Sequence, residues 1–145
     1  MEQLFLSSDI ETRHLAFPRE DFVPDETADQ LHERFKSAAL DLGEKAVASC
    51  LERAGLTVRD VDCLVTVTCT GYLCPGISAH LVRSLGLRPD VQRADIVGMG
   101  CGGAMPGLQR AHDFVRAYPD RRALLLTVEI CSACHYVDDT LETVV

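Results

Sequence analysis

The chain has 145 residues, of which 47% are hydrophobic and 25% charged, with no Trp and a formal charge of −8. That length suits one domain with a real core, and the apolar content excludes a disordered chain. The excess of 22 Asp and Glu over 14 Lys and Arg argues against nucleic acid as a partner, because such binding rests on neutralising phosphates. No apolar run approaches the ~18–20 residues of a membrane span, and Met1-Glu2-Gln3 lacks the basic lead of a secretory signal. The expectation is a cytoplasmic protein that does not engage a membrane. The charge is uneven: residues 1–60 carry 7 basic and 13 acidic groups, whereas residues 83–122 carry 7 Arg and 4 Asp. A small anionic ligand near the second stretch is compatible with that balance.

Residues 1–24 show no clean period and contain Pro18 and Pro24, so an irregular lead-in segment is expected there. Thr27-Ala28-Asp29-Gln30 has the form of a capping box. Leu31, Phe35, Ala38, Leu42, Ala46, Cys50 and Ala54 follow at intervals of three or four, and Gly55 stops the run. This pattern predicts an amphipathic helix with those residues on its buried face and a bend at Gly43. The β-branched run Val61–Thr68 predicts a buried strand. Thr70 to Gly76 reads as a loop, Ile77 to Leu85 as a short helix ended by Gly86, and Asp95–Met99 as a second strand. A glycine-rich turn leads into a helix over Gly103 to Tyr118, with Pro106 in its first turn. Ala123–Ile130 reads as a third buried strand, and the segment ending at Val145 as the start of another helix. Strands alternating with helices through short links predict a parallel α/β sheet with right-handed crossovers.

Seven cysteines are an odd number, and the reducing compartment expected here does not favour a disulfide framework. Cys50 and Cys63 fall on apolar positions and read as core fillers. Cys69, Cys74, Cys101, Cys131 and Cys134 all sit at or just past predicted strand ends. Cys131-Ser132-Ala133-Cys134-His135 matches the spacing for covalent haem attachment, but that chemistry requires export, which the sequence does not signal. The five histidines are scattered, and no second ligand pair completes a zinc site, so no metal is expected.

Three chemistries compete for Gly98-Met99-Gly100-Cys101-Gly102-Gly103. The glycines at 98, 100 and 103 satisfy a dinucleotide-binding pattern, with Glu129 as a ribose contact. Alternatively, Cys101 is a nucleophile on a strand-to-helix elbow. Gly100, Gly102 and Gly103 would give it room, the helix dipole would favour its thiolate, and turn amides would hold an oxyanion. The third possibility is a tight turn around an inert cysteine.

The sequence resembles the type III polyketide synthases, relatives of chalcone and stilbene synthase in the thiolase-like superfamily. The likeness runs through Ile10-Glu11-Thr12-Arg13-His14, Thr70-Gly71-Tyr72-Leu73-Cys74-Pro75-Gly76, and Leu85-Gly86-Leu87-Arg88-Pro89 with Val91 and Arg93. It continues through Gly100-Cys101 with its glycines and Val128-Glu129-Ile130-Cys131-Ser132. The resemblance implies that residues 25–145 form an incomplete half of a thiolase-like α/β domain, in which Cys101 is the catalytic nucleophile. It implies that acyl-CoA and malonyl-CoA are substrates for decarboxylative Claisen condensation, with no bound cofactor. Cys69, Thr70, Cys131 and Cys134 are implied as cavity residues with Glu129 beside them. Cys74 is implied as the residue that reaches across a homodimer, often over a cis peptide. A His and an Asn that polarise thioester carbonyls are expected beyond Val145, so a C-terminal half is an expected partner. Ser7 and Gln3 stand where the family tends to place basic contacts for coenzyme A. A non-catalytic assembly subunit of a thiolase-like complex is a further alternative.

Overall fold

In a computed structural model of the chain, residues 7–12, 14–17 and 26–134 are described. Gln3 and the helix expected towards Val145 lie outside the described residues. The Thr27 capping box forms as the sequence predicts: its hydroxyl accepts from the Gln30 amide at 3.3 Å, and the Gln30 side chain accepts from the Thr27 amide at 2.8 Å. Helix α1 spans Ala28–Ala54 and ends on Gly55 in the left-handed conformation.

The buried face of α1 agrees with the expected one only at Leu31 and Phe35. It consists of Leu31, Phe35, Ala39, Gly43, Val47 and Leu51, so beyond Phe35 the buried stripe advances in steps of four. The stripe through Leu42, Ala46, Cys50 and Ala54 faces outwards, and Cys50 is an exposed thiol rather than a core filler. Both stripes are apolar, and packing chooses between them. Gly43 allows the approach, because a Cβ there would stand 3.2 Å from Leu126. The helix runs unbroken through it.

Strand β1 (Cys63–Thr68) is buried along its whole length and lies between β2 (Gln92–Val97) and β3 (Ala123–Thr127), parallel to both. Strand β2 begins three residues before the predicted start. Gln92 and Arg93 are polar and exposed on an edge strand, which hides them from an apolar pattern. Strand β3 ends before the predicted Ile130, although the Val128 amide still donates to the Val67 carbonyl at 3.0 Å.

Helix α2 (Ile77–Leu85) lies with α1 over one face of the sheet, where Phe35, Val47, Leu81, Leu64 and Leu126 share a core. Helix α3 (Ala104–Ala117) covers the other face, where Ala111 and Phe114 pack against Val65, Val67 and Cys63. Cys63 is therefore the core filler that its apolar position implies. Alternation along β1 explains the division, since successive side chains point to opposite faces. At the strand starts, Asp62 accepts from Arg88 at 3.0 Å, Arg121 at 3.1 Å and the Arg122 amide at 3.0 Å, tying the three strand entries together.

Candidate active site

In open parallel α/β sheets, ligands bind beyond the carboxyl ends of the strands, where loops from adjacent strands converge. The cysteines at strand ends occupy that edge. Cys69 follows β1, Cys101 stands in a 3-10 turn (Gly100–Gly103) between β2 and α3, and Cys131 opens a 3-10 turn (Cys131–Ala133) after β3. Cys134 ends that last turn, and all four are exposed free thiols.

Glu129 organises this edge. Its carboxylate accepts from the Cys69 amide at 2.9 Å, the Thr70 amide at 3.0 Å, the Thr70 hydroxyl at 2.7 Å and the Thr68 hydroxyl at 3.2 Å. The Thr70 hydroxyl oxygen in turn accepts from the Ile130 amide at 2.8 Å, and the Cys134 thiol donates to the Thr70 carbonyl at 2.8 Å. A single carboxylate thus clamps the end of β1 to the end of β3. Loss of water around Glu129 pushes its carboxyl up, but the donors from Thr70 and Cys69 outweigh that and hold it below the usual glutamate value.

The same carboxylate acts on the neighbouring sulfurs. Cys69 keeps solvent on one side, yet displacement of water by the protein on the other raises its thiol. The charge of Glu129 raises it further, with smaller contributions from Cys101 and Cys131. The Cys134 thiol is also raised, first by burial and then by Cys131 and Glu129. Of the residues expected around a cavity, Cys69 and Thr70 bond Glu129 directly, Cys134 joins through the Thr70 carbonyl, and Cys131 opens the turn that Cys134 ends.

Cys74 stands outside that group. It precedes Pro75 through a cis peptide, as the resemblance implies. It opens on a cavity of about 220 Å³ lined by Thr68, whose hydroxyl also bonds Glu129, and by Tyr72, Asp95 and Val97, among others. Sequence reasoning did not single out Thr68 or Asp95. Asp95 carries a visible signal, an acid set against the apolar pair Ile96-Val97 of β2. Thr68 carries little, since threonine is ordinary in a strand.

The turn before α3 is glycine-dependent in two ways. Gly98 and Gly100 take positive φ values of 73° and 61°, which reverse the chain out of β2. A Cβ on Gly103 would stand 2.8 Å from Val67, so the start of α3 lies tight against β1. Gly102 meets no such neighbour. Cys101 projects from this turn just ahead of a 14-residue helix, with solvent access. Among the described residues, no His, Cys, Asp or Glu cluster could hold a metal, and no helix is long and apolar enough to cross a membrane.

Comparison with known proteins bears on the family and the fold. The sequence profile of the FAE1/Type III polyketide synthase-like protein family matches residues 14–145. A 1,3,6,8-tetrahydroxynaphthalene synthase from Streptomyces peucetius subsp. caesius is 37% identical over 145 residues, covering 100% of this chain and 38% of that protein. A 3,5-dihydroxyphenylacetyl-CoA synthase from Streptomyces toyocaensis is also 37% identical, with the same coverage of each chain. Among solved structures, the 1,3,6,8-tetrahydroxynaphthalene synthase of Streptomyces coelicolor A3(2) superposes with a TM-score of 0.84 at 28% identity, over 90% of this chain and 38% of that one. The chain thus spans well under half the length of these relatives, and its three-stranded sheet is part of their fold. Neither the dinucleotide reading of the turn nor the assembly-subunit reading gains support from these matches. The chain belongs to the FAE1/type III polyketide synthase-like family, of whose fold it carries one part.

Proposed function

We propose that this chain is the nucleophile-bearing part of a polyketide-forming acyltransferase and that Cys101 is its acyl acceptor. The observation that carries the reading is the placement of Cys101. It is an exposed thiol on the glycine turn between β2 and α3, at the carboxyl edge of the sheet. The Cys101 thiolate attacks the carbonyl of an acyl-CoA, the acyl group moves to sulfur, and CoA leaves as its thiolate. Malonyl-CoA then loses carbon dioxide. The resulting enolate attacks the Cys101-bound acyl carbon, lengthening the chain by a Claisen condensation and releasing Cys101. The backbone amides of the turn, at Gly100, Gly102 and Gly103, are suited to hold the oxyanion of each tetrahedral species. Cys69, Thr70, Cys131 and Cys134 give the growing chain a wall of small side chains, with Glu129 fixing that wall.

The resemblance implies a His and an Asn that polarise thioester carbonyls, and this proposal expects them outside residues 1–145. Acylation of Cys101 is therefore separable from full condensation. We further propose a homodimer in which Cys74 contributes to the partner's cavity. The experiment is a thiol-release assay: the chain mixed with an acyl-CoA is expected to release up to one equivalent of free CoA. Cys101→Ala is expected to release none, and equal release by that variant would refute the reading.

A further inference from the structure

Asp95 is an acid on the edge strand β2, and the acyl-transfer chemistry does not use it. Its Oδ1 accepts from the Thr66 hydroxyl and from the Ser78 amide at 2.9 Å, and its Oδ2 accepts from the Ser78 hydroxyl. Arg93, two residues earlier on the same strand, donates to the Ser78 oxygen at 3.3 Å. Thr66 and Ser78 are both buried, so these donors need this acceptor. The arrangement resolves an oddity of α2. Its N-cap residue is Gly76, which has no side chain to satisfy the free amides of the first turn. Asp95 supplies that cap from the neighbouring strand. Gly76 keeps the space open, because a Cβ there would stand 2.6 Å from the Asp95 carboxyl carbon. Only Pro75 separates this capped turn from Cys74, and Asp95, Tyr72 and Cys74 line the same cavity of about 220 Å³.

We propose that Asp95 is a positioning residue: by capping α2 across the sheet, it sets where Cys74 and Tyr72 stand and so how the site discriminates among acyl groups. It touches no reacting atom, and the inference rests on the acyl transfer to Cys101 proposed above. The test is the ratio of Cys101 acylation rates with acetyl-CoA and phenylacetyl-CoA, measured on this chain. Asp95→Ala is expected to change the ratio by about threefold or more. Asp95→Asn keeps Oδ1 as acceptor for the Thr66 hydroxyl and the Ser78 amide and loses only the acceptor of the Ser78 hydroxyl, so its ratio is expected to stay closer to the parent than to Asp95→Ala. A purely structural role lowers both rates together. An unchanged ratio in Asp95→Ala, or an Asn variant that behaves like Ala, overturns the proposal.

If Asp95→Ala does not fold, Ser78→Ala removes one donor and is expected to shift the ratio in the same direction; no shift overturns the proposal. If the parent chain is not acylated at all, the acyl-transfer reading fails on its own. Hydrogen exchange at the Ser78 amide then decides the cap. Protection lost in Asp95→Ala and kept in Asp95→Asn supports the positioning role, and equal protection in both overturns it.

Discussion

Glu129 and Cys69 show how a single charge sets the chemistry of the site edge. The carboxylate holds four donors from residues about sixty positions away and raises the thiol beside it. Glu129→Gln removes the charge while keeping an acceptor, so the Cys69 thiol is expected to ionise at lower pH. The check is the pH–rate profile of Cys69 alkylation, read peptide by peptide, whose midpoint should move down. Glu129→Ala also strands the Cys69 and Thr70 amides and is expected to cost about 1–3 kcal/mol in urea unfolding. Acid sensitivity follows from the same residues. Glu129 and Asp62 are both held below their ordinary values of 4.5 and 3.8. Their stabilisation is complete above those values and is lost as pH falls through the lower folded-state ones. The melting temperature should therefore be level from neutral pH to about pH 5 and fall below about pH 4, with a shallower acid limb in Asp62→Asn. At this scale the sequence was half legible. The glycines around Cys101 announce a turn that must hold a side chain at its tip. The resemblance groups Glu129 with Cys69 and Thr70, but the hydrogen bonds of the clamp emerge only when the strands are paired, because its donors are distant in sequence.

At the scale of elements, helix α1 carries two apolar stripes and buries one. Leu51→Ala on the buried stripe is expected to cost about 2–5 kcal/mol. Cys50→Ser on the outward stripe should stay within about 0.5 kcal/mol. Urea unfolding of both variants checks which face packs. The start and stop of the helix were legible because a capping box and a left-handed glycine are local signals. The buried face was not, since Ala38 and Ala39, or Ala46 and Val47, satisfy the same period. Only the close approach at Gly43 to Leu126 decides between them. The start of β2 was missed for a related reason: an edge strand tolerates Gln92 and Arg93, so hydrophobicity does not mark where pairing begins.

For the whole molecule, alternating strands and helices sufficed to predict a parallel α/β sheet, and β1, buried along its length, is covered by helices on both faces. The order β2-β1-β3 leaves one edge of β2 unpaired among the described residues. Val97, Met99, Met105 and Leu108, at the end of β2, on the turn and on α3, are exposed. In the proposed homodimer we assign these apolar side chains to the interface. Val97→Lys combined with Met105→Lys is expected to abolish self-association in sedimentation velocity while leaving the circular dichroism spectrum unchanged. Length alone suggested a self-sufficient domain, whereas the relatives show the same sheet as part of a larger one, with 38% of their length matched. The claim on which the functional account turns is that Cys101 accepts the acyl group. Incubating the chain with acyl-CoA and mapping thioester adducts by mass spectrometry tests it most directly. The account expects the adduct on Cys101 and its loss in Cys101→Ala; acylation at another residue, undiminished in that variant, would contradict it.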